Sequence, residues 1–182
     1  MEKWKKENDF NVQTWFDTLA HFEALNSFAT LCFNNPNWSF PILKEEHFSI
    51  AASVLGHPLI NKNKRINNFI NIKNAGEIML VTGSNMAGKS TYLRSIGINT
   101  ILAMAGSPVC ANSFEISPVQ LLSSMRIADN LEESTSTFYA ELKKLKTIIE
   151  KINAGEKVFI LDRKSTRLNS SHRNTSRMPS SA

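Results

Sequence analysis

The chain has 182 residues, 42% of them apolar, which is enough for one packed domain with an appendage. Its formal charge of +5 comes wholly from Arg163, Lys164, Arg167, Arg173 and Arg177, because residues 163–182 hold no acid. Acids and bases therefore balance over 1–162, which excludes reading the basic pI as a nucleic-acid footprint on the body of the protein.

Cys32 and Cys110 stand alone, with no CxxC spacing, as in a reduced cytoplasmic chain. The opening "MEKWKKENDF" has no apolar signal region, and no run approaches the ~18 apolar residues of a membrane span. The expectation is a soluble, cytoplasmic protein with no membrane partner. His21, His47, His57 and His172 form no metal-binding spacing.

In chain order, Phe10–Phe33 places Trp15, Leu19, Phe22 and Ala29 at helical spacing, predicting a helix packed on a neighbour and stopped by Pro36. "WSFPIL" and "HFSIAASVLG" read as extended pieces, and "NKNKRINN" as a loop. Ile78–Thr82 predicts a strand, followed by a glycine-containing turn and a helix from Lys89 to about Ala105. On that helix Leu93, Ile96, Ile101, Leu102 and Met104 are expected to bury against a sheet. "FEISPVQLLSSMRIADN" reads as two extended segments around Pro118. "STSTFYAELKKLKTIIEKI" is a second amphipathic helix with Phe138, Leu142, Leu145 and Ile149 on one face, and "KVFIL" is a last strand. Strands alternating with helices predict an α/β fold. The expected units are a helical segment 1–38, a nucleotide-binding domain 39–162, and a Ser/Arg tail 163–182.

The chemistry is concentrated in Gly83-Ser84-Asn85-Met86-Ala87-Gly88-Lys89-Ser90, which satisfies G-x-x-x-x-G-K-[ST] at every fixed position. Glycines allow successive backbone N–H groups to turn toward one anion, and the helix N-terminus adds partial positive charge. Lys89 would reach the β- and γ-phosphates of a nucleotide, and the hydroxyl of Ser90 would ligate Mg²⁺. Thr91 closes the cradle. Phosphoryl transfer also needs a carboxylate at a nearby strand end, and Asp162 is the candidate metal ligand. A second carboxylate often follows such a residue; here Arg163 follows, and a guanidinium serves neither as base nor as metal ligand.

These residues resemble a family. "TGSNMAGKSTYLRSIG" is similar to TGPNMGGKSTYLRQ, the P-loop of the MutS DNA mismatch-repair ATPases; Asn85, Met86, Tyr92 and Arg94 carry the likeness beyond the general motif. "GHPLI" resembles the turn that opens that ATPase domain, and "RIADNLEESTSTFYAELKKL" its signature G-x-x-D-x-L-x-x-x-x-S-T-F-x-x-E. "FEALNSFA" is similar to the end of the family's core/lever region. The likeness spans about residues 10–162 and implies a P-loop NTPase of the ABC-type MutS ATPase class, with a parallel-rich sheet preceded by a helical core/lever remnant.

By the same resemblance, Asn85 contacts the γ-phosphate and Ser136 reaches nucleotide held by the opposite subunit of a homodimer or related pair. Arg65 and Ile66 fall where the family packs adenine; Asp129 and Glu141 match family acids whose alternative is a solvated face. His57 packs the turn after Gly56, and Arg94 faces solvent or an interface. The implied cofactors are ATP and Mg²⁺. The implied function is ATP binding and hydrolysis coupled to recognition and repair of mismatched DNA, with DNA held by family domains outside this chain. Two alternatives stay open: a non-hydrolysing nucleotide-binding module, or a MutS relative acting on recombination intermediates or stalled ribosomes. The family's strand would run FILLDE, so the match is expected to break within "FILD", truncating the ATPase near its metal-binding strand. "RKSTRLNSSHRNTSRMPSSA" then reads as adapter-like sequence, disordered unless held, with a functional basic tail as the alternative.

Overall fold

The computed structural model describes residues 2–45, 47–84, 86–124 and 134–162. Asn85, Asp129, Glu132, Glu133 and the tail lie outside the described residues, and so do the side chains of Ser136, Phe138 and Glu141. The elements are α1 (Glu2–Asn34), β1 (Ile42–Leu43), β2 (Ile50–Leu55), β3 (Asn68–Ile72), α2 (Lys89–Met104), β4 (Ser113–Ile116), β5 (Gln120–Ser124), α3 (Ser134–Asn153) and β6 (Val158–Asp162). The result is a mixed α/β fold. No helix among these residues is long and apolar enough to cross a membrane.

Two sheets form. One has the order β1-β4-β2-β3, and the other pairs β5 with β6. β2 runs antiparallel to both β3 and β4; β1 joins β4 in parallel, and β5 and β6 are parallel. The expected parallel-rich sheet is thus corrected: half the ladders are antiparallel, and β3, of which only Asn68 falls in the predicted loop, is a full member. Side chains alternate between the two faces of β3, so Ile70 and Ile72 enter the core while Phe69 and Asn71 point away, and Asn68, at the strand start, is exposed.

The core of the first sheet follows period-two burial: Ile50 and Ala52 from β2, Ile70 and Ile72 from β3, and Phe114 and Ile116 from β4. Strict alternation would aim Val54 inward and Leu55 outward. The pairing instead shifts between Ala52 and Leu55, where Val54 takes φ 54. This irregularity turns Leu55 into the core, fully buried, at the expense of a β-branched residue in a strained conformation.

α2 covers this core with Ile96 and Ala103 buried and Leu93 and Leu102 packed at its edge. Ile101 and Met104, expected inside, are exposed: Ile101 falls on the far side of the helix from Ile96 and Ala103, and Met104 on the flank at the last helical position. The helix closes with Gly106 N–H donating to Ala103 O and Ser107 N–H to Leu102 O, the paired bonds of a Schellman stop, before Pro108.

Two further expectations are corrected. Trp15, Leu19 and Phe22 do not pack on a neighbour; each is more than half exposed, since no described element lies along that face of α1. Ile78–Thr82 is not a strand. It joins no ladder, and no backbone hydrogen bond ties it to any other described residue. An apolar run becomes a strand only beside a partner edge, and none of the described strands lies against this one.

Candidate functional site

The phosphate-loop motif forms the turn between this unpaired run and α2. Gly88 precedes the helix at φ 80, a region where a side chain would be strained, and Met86 also has positive φ, at 66. Gly88 O accepts the first helical bond, from Tyr92 N–H at 2.9 Å. No side-chain hydrogen bond caps the helix start, so the first-turn amides of α2 lack the Ser, Thr or Asp partner that usually satisfies them.

Lys89 sets the shape of the loop. Its Nζ donates to Gly83 O and to Ser84 O, each at 2.6 Å, and Ala87 N–H donates to Ser84 O at 3.3 Å. An ammonium has three donors, so two hold the loop around the charge and one is left for another acceptor. Lys89 and Ser90 are half-buried, whereas Gly83, Ser84, Met86, Ala87, Gly88 and Thr91 are exposed. A cation, an uncapped helix start and an open rim converge there. That arrangement suits an oxyanion.

Around the loop, Tyr92 Oη donates to Phe69 O at 2.8 Å and lies 3.7 Å from Met79 Sδ. This tether holds β3 and the segment before it beside the first turn of α2. In that segment Ile66 is 80% exposed. Arg65 is engaged elsewhere: Nε and Nη2 donate to Ile60 O, Nη1 to Cys110 Sγ at 2.9 Å, and Cζ sits 5.8 Å from the centroid of Trp38. Trp38 therefore takes one face of the guanidinium expected to stack on a base. His57 accepts from Leu59 N–H through Nδ1 at 3.2 Å, within its turn. Burial holds its pKa below the ordinary range, and the charges of Arg94 and Arg65 push it the same way.

Asp162 ends β6 in register with Ser124 and is exposed. It lines the same cavity as Ile78–Val81, so the candidate metal ligand and the run leading into the loop share one space. The loop residues are thus gathered at one helix start, with Ile66 on the segment tied to it. Ser136 begins α3, and Asn85 lies outside the described residues. Among the described residues, no group of three His, Cys, Asp or Glu is placed to hold a metal ion.

Motif reasoning missed two supporting roles. Tyr92, named only for its likeness to the family loop, has one, as the tether to Phe69 O. Asn99 has the other: fully buried, it donates to Gly56 O and Ser95 O and accepts from Cys110 N–H. A polar residue between Ile96 and Ala103 on an apolar helix face was the available signal.

Comparison with known proteins agrees with the loop. Residues 79–167 match MutS domain V. The DNA mismatch repair protein MutS of Chlorobaculum tepidum is 31% identical over 162 residues, covering 85% of this chain and 18% of that protein. MutS protein homolog 4 of Mus musculus is 33% identical over 150 residues, covering 80% and 15%. The DNA mismatch repair protein MSH3 of Vanderwaltozyma polyspora is 30% identical over 149 residues, covering 80% and 14%. The chain spans less than a fifth of the length of these relatives. Over residues 79–167 the chain is thus similar to MutS domain V, and more broadly to parts of MutS proteins.

Proposed function

We propose that residues 83–91 bind the phosphates of ATP with Mg²⁺, as the nucleotide-binding part of a MutS-type machine. The observation that carries this reading is Lys89, whose ammonium is clasped by Gly83 O and Ser84 O at an uncapped helix start. Lys89 and the first-turn amides neutralise the triphosphate, with Asn85 at the γ-phosphate. Ser90 and Asp162 are the side chains that would hold Mg²⁺, which supplies charge neutralisation for the terminal phosphates. Ile66 offers an apolar surface to the base, while Arg65 anchors the segment that presents it.

In this reading the helical segment 1–38 links the nucleotide domain 39–162 to the mismatch-reading part of a longer MutS protein. Ser136 completes the site of an opposing subunit. One observation favours a second reading, binding without hydrolysis: Arg163 follows Asp162 where a second carboxylate would position the attacking water.

The test is Mg·ATP affinity and turnover of the full chain, with Lys89→Ala as control. Binding that depends on Lys89 supports the reading, and absence of binding sinks it. Turnover lost with Lys89 would reject the non-hydrolysing alternative.

A further inference from the structure

The hydroxyl of Tyr92 sits where three parts of the candidate site meet. Tyr92 belongs to the first turn of α2, and its N–H donates to Gly88 O at the end of the phosphate loop. Its Oη donates to Phe69 O on β3 at 2.8 Å and lies 3.7 Å from Met79 Sδ, in the run that enters the loop. A phenol has one proton, and a carbonyl is a far better acceptor than a thioether, so the bond goes to Phe69. Burial pushes the Tyr92 phenol above its ordinary pKa, so the proton stays in place in neutral solution.

The acceptor stands at an irregular point of the first sheet. Asn68, Ile70, Asn71 and Ile72 each have a registered partner on β2, whereas Phe69 has none, because the pairing shifts between Ala52 and Leu55. At that gap in the register a side chain of α2 takes the carbonyl of Phe69. Among the described residues this is the one hydrogen bond between residues 65–72 and α2. A second anchor lies four residues earlier, where Arg65 is fixed to Ile60 O and Cys110 Sγ. Between the two anchors Ile66, Asn67 and Asn68 are all exposed, so packing does not hold them. A span of three residues with both ends fixed has few conformations open to it, and freeing one end releases it.

We propose that Tyr92 is a positioning residue for the base of the nucleotide. By holding Phe69 O, its hydroxyl fixes Ile66 relative to the phosphate loop, and so makes the site prefer a nucleoside triphosphate to a bare triphosphate. This role rests on the nucleotide reading of residues 83–91 and divides the ligand in two. The phosphates are held by Lys89 and the first-turn amides, which do not need the tether. The base meets a segment whose place depends on it, and a ligand surface held in position in advance binds without a further ordering cost.

The experiment is calorimetric titration of the full chain with Mg·ATP and, separately, with Mg·tripolyphosphate, which offers a row of phosphates without a base. Tyr92→Phe keeps the ring that packs against the core and removes only the hydroxyl. ATP affinity should fall about five- to tenfold, while tripolyphosphate affinity stays within about twofold of the parent. In Ile66→Ala the base has already lost its apolar surface, so adding Tyr92→Phe should change ATP affinity by less than about twofold. Equal losses for the two ligands would overturn the proposal, because the hydroxyl would then act on the loop or the fold as a whole. No loss, or a full loss that persists in Ile66→Ala, would overturn it as well. If the parent binds tripolyphosphate as tightly as ATP, the base has no seat on this segment, and the proposal fails while the phosphate reading stands. If the parent binds neither ligand, the phosphate reading falls and the role of Tyr92 falls with it.

Discussion

Asn99 Oδ1 accepts the backbone N–H of Cys110 at 2.7 Å, and the two residues together fasten α2 to the end of β2, where Gly56 lies. The Nδ2 of Asn99 donates to Gly56 O at 2.9 Å, and Gly56 N–H donates to Cys110 O at 2.8 Å, closing a buried ring of three bonds. This ring sets where α2, and so the loop at its start, lies relative to the first sheet. Asn99→Leu should destabilise the protein by about 3 kcal/mol, because Cys110 N–H and Gly56 O would be left buried without partners. Urea unfolding measures it, and a change within error would show that the ring is dispensable.

Thr100, the next residue, should behave in the opposite way. Its Oγ1 is fully buried and has no hydrogen-bond partner among the described residues. Thr100→Val keeps the shape and removes an unsatisfied hydroxyl, so stability should hold or rise by about 1 kcal/mol. A loss comparable to that of Asn99→Leu would contradict this.

Gly56 and Arg65 should be coupled. A Cβ at Gly56 would collide with Arg65 Cδ and sit 2.9 Å from Asn67 Oδ1. Gly56→Ala is expected to cost about 2 kcal/mol by displacing the arginine from Ile60 O and Trp38. In the Arg65→Ala background about half of that penalty should vanish, giving a coupling of about 1 kcal/mol in a double-mutant cycle. Strict additivity would place the strain elsewhere.

His57 should make the protein less stable in mild acid. Its folded pKa lies below the ordinary value of 6.5, chiefly through burial, so the unfolded chain takes up a proton first as pH falls. The contribution of neutral His57 is present in full above pH 6.5 and is lost as pH drops from there toward the folded value. His57→Gln should flatten the decline in the urea midpoint between pH 8 and pH 5.5, and an unchanged slope would remove His57 as its source.

Much of this molecule was readable as sequence. The G-x-x-x-x-G-K-[ST] spacing names Lys89 and Ser90 without coordinates, because a backbone that curls around one anion needs glycines at those positions and a helix directly after. α2, α3, β4, β5 and β6 are local patterns, and each formed close to where its periodicity placed it. Tertiary structure decided what depends on distant edges and neighbours. Ile78–Thr82 has a strand's composition yet pairs with nothing described, since a strand is a property of two edges and not of one run. Trp15 and Phe22 have a buried face's spacing yet remain exposed, since burial requires a second surface. Arg65, read as a base-stacking residue, is turned onto Trp38, Cys110 and Ile60, contacts that join residues up to 45 positions apart in sequence. Local chemistry is written along the chain; which groups meet, and which edges are left open, is settled only when the sheets assemble.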